Sequence, residues 1–385
     1  MESIMLRSSV SLALAAALTV SCSKKEEKNE TEETAASGTV TGSGSTSTES
    51  VASASDVSDL KLSTAFSFEL PAALRGESAA SLNLLSAKKS QEACQMGSTI
   101  REVTSQLEDI GNFFCHLEVE KERLLFGKKY LLNTNGVEFA RLYVDNSAIA
   151  EGKISIGFCS KRGEEEANKQ LITIDGLSAT GPKGSVVNLG TGSYEGQAQS
   201  WAGSVSFDMS ATGIIDLIAE QLHTQDTNSF RRKVELVLKE SGISYAKLAA
   251  KGTWEGNSFL ERGAAMFDGT YGSAIFQNQG SHQGQTFTFA RRAYFNEPGE
   301  VVAASAVPAA VIPPVSDLPS FLAEDFEPTS PAGWVGGGCA DYDEAVDLNP
   351  ESTEHAACDG DQNQNHTDCW SQDSYESGAE NVEVD

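Results

Sequence analysis

The chain has 385 residues and a formal net charge of −27, from 28 basic and 55 acidic side chains. A polyanion of this kind repels phosphate backbones, which argues against nucleic acid as a partner. The length allows one large domain or two small ones with tails.

The charge is unevenly spread. Residues 1–60 carry a net −5, residues 61–300 a net −4, and residues 301–385 hold 18 acidic and no basic side chains. The middle of the chain is therefore close to neutral, and the acidity belongs mainly to the C-terminal end.

Reading from the N-terminus, Arg7 precedes a 13-residue apolar stretch from Ser8 to Val20, and Ser21-Cys22 closes it. This is the pattern of an export leader. A helix through the bilayer core needs about 20 apolar residues, so the stretch is too short to remain as a span. The run Leu18-Thr19-Val20-Ser21-Cys22 resembles the lipobox of bacterial lipoproteins, with Thr19 where Leu is usual. The resemblance covers residues 1–23 and identifies no family for the rest. It implies cleavage after residue 21 and a thioether-linked diacylglycerol with an N-acyl chain (palmitate among the usual acids) on Cys22. With Ser23 rather than Asp next, it also implies passage through the periplasm to the outer membrane of the cell envelope, with the leaflet left open. Each buried methylene contributes about 0.8 kcal/mol, so several acyl chains hold firmly.

Residues 22–60 are dominated by Ser, Thr, Glu, Lys and Gly, without the apolar content that ordering requires. They read as a disordered tether with a reach of roughly 30–35 Å, at about 5–6 Å times the square root of length. The body is expected over residues 61–300. Ala65 to Leu70 alternates like a strand, and Pro71 ends it. A helix is predicted from Ser98 to Glu122, because Ile100, Val103, Leu107, Ile110, Phe114 and Leu117 form one apolar stripe. Strands are predicted at Val137–Asp145, Lys153–Ser160, Lys169–Asp175 and Ser185–Leu189. Alternating faces follow at Phe230, Val234, Leu236 and Leu238, and at Phe287, Phe289, Ala293 and Phe295. Ile214, Ile218 and Leu222 predict a second, shorter helix over Gly213–Leu222. Gly192–Gly196, Gly252–Gly256 and Gly269–Gly272 share a Gly–aromatic–Gly character that suits turns or a degenerate hairpin repeat. The expected class is α+β, with the long helix packed on a curved antiparallel sheet or partial β-barrel.

From residue 301 the chain becomes a proline-containing, acidic, cysteine-bearing tail, expected to be loop-like or disordered except where cysteines staple it. With Cys22 acylated, Cys94, Cys115, Cys159, Cys339, Cys358 and Cys369 remain as disulfide candidates in an oxidising compartment. A continuous helix separates Cys94 from Cys115 by too great a rise for a bond between them. Cys115–Cys159, helix to sheet, is the leading expectation. His355 and Cys358 repeat as His366 and Cys369, a set that could offer zinc two imidazoles and two thiolates. Asp359 and Asp361 lie between them among oxygen donors of the kind calcium takes. The spacing fits neither a known zinc module nor an EF-hand, so the expectation is no cofactor, with zinc or calcium in the tail as the weaker reading.

Phosphate-loop, nucleophile-elbow and H-E-x-x-H signatures are absent from the sequence. No catalytic residue is assigned. On strict alternation Arg232 shares the face of Phe230 and Val234, and Arg291 that of Phe287, Phe289 and Phe295. Two cations on an apolar concavity could hold an anionic amphiphile; a face that reaches solvent at its end, a bulge that shifts the register, or pairing with a buried acid are the plainer readings. The expected function is that of a non-enzymatic, lipid-anchored envelope module for interaction or binding. Its partners would be the membrane, other envelope proteins or an amphipathic ligand. A carrier of an amphipathic or lipid ligand between sheet and helix is the alternative, and a secreted hydrolase the third reading.

Overall fold

A computed structural model describes residues 66, 88–120, 127–134, 136–162, 165–178, 180–194, 197–282, 284–328, 342–348, 358 and 375–384. The leader, Cys22 and the tether lie outside the described residues, as does the predicted Ala65–Leu70 strand apart from Phe66.

Strand β1 (Lys89–Ser90) leads directly into helix α1 (Gln91–Val119). The helix begins seven residues before the predicted start. Ser90 is its N-cap and accepts a hydrogen bond from the Ala93 amide at 3.2 Å, and Glu92 lies in the first turn, where an acid complements the helix dipole. The predicted stripe is the buried face: Ile100, Val103, Leu107, Ile110, Phe114 and Leu117 are all buried.

Twelve strands follow, each paired antiparallel with the next. They are β2 (Lys129–Thr134), β3 (Val137–Asp145), β4 (Ile154–Arg162), β5 (Glu165–Leu177), β6 (Pro182–Tyr194) and β7 (Gln197–Asp208). The second half is β8 (Ile214–Gln225), β9 (Asn228–Lys239), β10 (Ser244–Trp254), β11 (Asn257–Phe267), β12 (Tyr271–His282) and β13 (Gln285–Asn296). Beyond residue 301 come β14 (Glu344–Leu348), β15 (Tyr375–Glu376) and β16 (Glu380–Asn381). β14 pairs parallel with β2 at one edge of the sheet and β16 antiparallel with β13 at the other, giving 14 strands. β1 and β15 form a separate parallel pair. The edges do not pair with each other, so the sheet is unclosed.

The class is therefore predominantly β, with one α-helix among the described residues, rather than the balanced α+β expected. One buried cluster joins α1 to inward residues of every strand from β2 to β13, which requires the sheet to curve toward the helix. Phe66 belongs to that core, stacked on Phe114 at 6.0 Å between ring centroids and edge-on to Phe207 at 5.3 Å.

The predicted helix over Gly213–Leu222 is strand β8. Its buried residues are Leu217, Ala219 and Gln221, alternating as in a strand, while Ile218 is exposed. A step of four places residues on one face in a helix and in a strand alike. The Ile214–Ile218–Leu222 stripe was thus ambiguous in period, and pairing with β7 and β9 decides it.

Residues 301–328 cross the convex side of β9–β13. Lys251 donates to the carbonyls of Ala323 and Glu324 at 3.2 and 3.0 Å, and Arg292 to that of Pro313 at 2.8 Å. Arg262 lies over the Phe321 ring at 4.7 Å, and Arg231 pairs with Glu327 at 2.9 Å. Val307 and Val311 pack on Tyr294, and Leu318 on Ala264 and Ile275. This proline-rich segment is a strap on the sheet, short of regular structure and held by side chains of β9, β10, β11 and β13.

Candidate functional site

Because the strands pair in register, concave side chains line up in rows across the sheet. One row runs Gln170, Asn188, Gly203, Gln221, Arg232, Ala250, Glu261 and Asn278, one residue from each of β5 to β12. It is polar at six of eight positions, and on one side of it lies a mainly aliphatic row that includes Ile172, Val186, Val205, Ala219, Val234 and Leu248. The adjacent row, two residues along each strand, runs Asn168, Gly190, Trp201, His223, Phe230, Gly252, Phe259, Gly280 and Phe287.

In that second row the large rings lie over the glycines of the preceding strand. A methyl placed on Gly190 would fall on the Trp201 indole, one on Gly252 would come within 2.6 Å of the Phe259 ring, and one on Gly280 within 2.7 Å of Phe287. Glycine here supplies room rather than backbone freedom. The same pairing recurs lower on the concave face, Gly263 under Phe276 and Gly272 under Phe295. Rings held this way lie flat on the sheet with one face toward the concavity. Phe230 and Phe259 are 6.1 Å apart, and Phe287 and Phe289 5.9 Å. Exposure rises along the row, from buried Trp201 through half-buried Phe230 and Phe259 to Phe287, which is 36% exposed.

Helix α1 presents polar groups to these rows. Gln95, Glu102 and Asp109 recur every seven residues, close to two helical turns, and so share a face. Gln95 donates to Glu261 on β11 at 3.3 Å. Glu102 forms an ion pair with Arg232 on β9 at 2.6 Å. Phe113 meets Phe158 on β4 at 6.1 Å. The helix thus runs across the strands from β11 toward β4, which brings Asp109 over the strands between. Arg232 is further held by the Gln221 carbonyl and lies over the Phe230 ring at 5.6 Å.

Two carboxyl groups here are displaced in the same direction. Burial pushes Glu261 up to about 7, opposed by the charge of Arg232. Burial, then the charge of Glu108, pushes Asp109 up to about 7. Each keeps part of its surface accessible. They are carboxyls between helix and sheet that can hold their protons near neutrality. Burial lowers the His223 pKa, favouring the neutral ring, which meets Gln199 Oε1 at 3.3 Å.

Five polar atoms on β5–β8 are buried without a hydrogen-bond partner among the described residues: Asn168 Oδ1, Gln170 Oε1, Asn188 Oδ1, Trp201 Nε1 and Gln221 Nε2. All five residues face the concave side. Leaving such an atom unpaired costs about 1–3 kcal/mol each, and native folds seldom concentrate so many in one place without a use for them.

Of the residues singled out from the sequence, Arg232 and Arg291 both lie on the concave face. The structure does not bring them together. They stand on β9 and β13, four strand positions apart, or about 19 Å at about 4.8 Å per strand. Arg232 is committed to Glu102, whereas Arg291 is exposed over the Phe289 ring at 4.8 Å.

Cys115 is bonded to Cys358, 243 residues away, and not to Cys159 as expected. Cys94 and Cys159 are each in disulfides. The helix-to-sheet expectation failed because Cys358 reaches back to α1, a placement that no local pattern encodes. As half of a disulfide, Cys358 has no thiolate to offer zinc. His355, Asp359, Asp361, His366, Cys339 and Cys369 lie outside the described residues. Among the described residues no cluster of His, Cys, Asp or Glu is arranged to hold a metal, and no helix is long and apolar enough to cross a membrane.

The polar row was missed because it needs the register of every hairpin at once. Its local trace was there: Arg232, Gln221 and Glu261 each interrupt an otherwise apolar parity. No protein-family model, curated protein or solved structure matches this chain.

Proposed function

We propose that this protein is a non-enzymatic binding module of the cell envelope, anchored through lipid on Cys22, that holds its ligand on the concave face of a partial barrel around α1. The observation that carries the reading is the set of five buried, unpartnered polar atoms on β5–β8. A ligand that meets them recovers hydrogen bonds whose loss the unliganded fold bears. Alternation of flat rings with amides is also the mixed lining of a binding site, mostly apolar with a few placed polar groups. The leader's resemblance to a lipobox and the tether length support a module displayed clear of the headgroups.

Native mass spectrometry of the protein isolated from envelopes tests this. We expect a retained adduct that is lost in Gln221→Leu, a variant that keeps side-chain volume but removes the amide. Wild type free of adduct, with a melting temperature unmoved by envelope extract, would contradict the reading. Palmitate labelling of wild type but not of Cys22→Ser tests the anchor separately.

A carrier of an amphipathic ligand is the second reading. It is favoured by Phe287 and Phe289, 36% and 38% exposed, beside Arg291 on β13. A secreted hydrolase gains little here, since His223 on the concave face meets an amide, Gln199.

A further inference from the structure

We propose that the ligand of the concave face is a neutral saccharide chain, with the flat rings of Phe230, Phe259 and Phe287 as its stacking platform. The proposal rests on the binding-module reading and adds the chemical class.

Three features point the same way. First, each of Trp201, Phe259 and Phe287 lies over a glycine of the preceding strand. Trp201 is buried there, whereas Phe259 and Phe287 keep part of the ring accessible on the concave side. A pyranose ring presents an apolar patch of C–H groups that packs on such a face, while its hydroxyls project sideways. The accessible rings occur on every second strand, β9, β11 and β13, so the platform is a line suited to a chain of sugar units and not to a single compact ligand.

Second, the polar row lies one step beside the rings, where those hydroxyls would point. The two rows together offer acceptors and donors: the unpartnered atoms are the side-chain oxygens of Asn168, Gln170 and Asn188 and the N–H groups of Trp201 and Gln221. A hydroxyl both donates and accepts, so one kind of ligand group satisfies all five. A fatty acyl chain would satisfy none of them.

Third, the charges disfavour an anion. Glu102 and Glu261 flank Arg232, and the guanidinium is already paired with Glu102. Asp109 adds a third carboxyl on the same helix face. An anionic head group would meet more carboxyl than free cation on β9–β11. A neutral polyhydroxylated chain meets no such repulsion, and Asp109 and Glu261, protonated or not, hydrogen-bond hydroxyls in either state.

Isothermal titration of the intact protein with N-acetylglucosamine tetramer, maltoheptaose and oleate tests the proposal. We expect one of the two oligosaccharides to bind, at least tenfold more weakly in Phe287→Ala, and oleate not to compete. Phe287 is solvent-exposed, so that variant keeps the fold, and Phe259→Leu serves as a second arm with apolar volume retained. Oleate binding that Phe287→Ala weakens, with no saccharide binding, would overturn the saccharide class and leave the binding module standing. Absence of any binding, together with an adduct-free native mass spectrum, would remove both. Saccharide binding equal in wild type and both variants would overturn the platform.

Discussion

At the scale of single residues, Glu102–Arg232 is the interaction on which the recess depends. The arginine is buried, its guanidinium faces helix and sheet together, and its removal or isolation leaves a charge without compensation. Breaking a buried pair by deleting one partner costs about 3–5 kcal/mol. Glu102 is partly accessible, its side chain 26% exposed, so its loss falls at the low end. Glu102→Ala is expected to lower unfolding free energy by about 3 kcal/mol, measured by urea denaturation. An effect below 1 kcal/mol would show that Arg232 finds another partner. The displaced carboxyls predict a pH dependence. Asp109 and Glu261 hold their protons up to about 7 when folded and only to about 4 when unfolded. Between those values the folded state binds more protons, so stability falls as pH rises from about 4 through 7 and levels off above. Asp109→Asn removes its share, and the melting temperature of the variant should fall less steeply over that window. Parallel curves for variant and wild type would contradict the assignment.

At the scale of elements, the hairpin strands explain both what the sequence discloses and what it hides. β3 was predicted to the residue, Val137–Asp145, because its alternation is clean. α1 was found by its apolar stripe, but its first two turns were missed. They hold Gly97 and a buried Glu92, and their signal is the Ser90 cap. β8 was misread because its visible stripe of Ile and Leu is the solvent side, and the buried side carries Ala219 and Gln221. The Gly–aromatic–Gly stretches at 252–256 and 269–272 do mark hairpin turns: β10 passes to β11 through Glu255 and Gly256, both at positive φ, and β11 to β12 at Gly269. Their aromatic partners were hidden, since the ring that covers Gly252 is Phe259 on the next strand. Gly252→Ala should therefore destabilise by about 1–3 kcal/mol, the cost of overpacking. The Ser229 carbonyl, 2.6 Å from the added methyl, is backbone and cannot yield. A stability within 0.5 kcal/mol of wild type would show that the ring is free to move. The Cys115–Cys358 bond ties α1 to the acidic end of the chain. Mapping of non-reduced peptides should recover that pair, and Cys358→Ser should lower stability by about 2–5 kcal/mol. Recovery of Cys115 joined to Cys159 would contradict the structure.

For the whole molecule, the division of charge matches the division of labour between the two sides of the sheet. The near-neutral body builds the meander. Residues 301–328 then cross the convex side of β9–β13, where Lys251, Arg231, Arg262 and Arg292 receive their carbonyls, carboxylates and rings. Under the proposed function, the ligand is held on the opposite, concave side of the same strands. Hydroxyl-radical footprinting of the full-length protein, with and without its envelope extract, separates the two sides directly. The account predicts protection of Phe259 and Phe287 on the concave face, with Tyr245 and Leu189 on the convex face unchanged. Protection confined to Tyr245 and Leu189, with Phe259 and Phe287 unchanged, would contradict it.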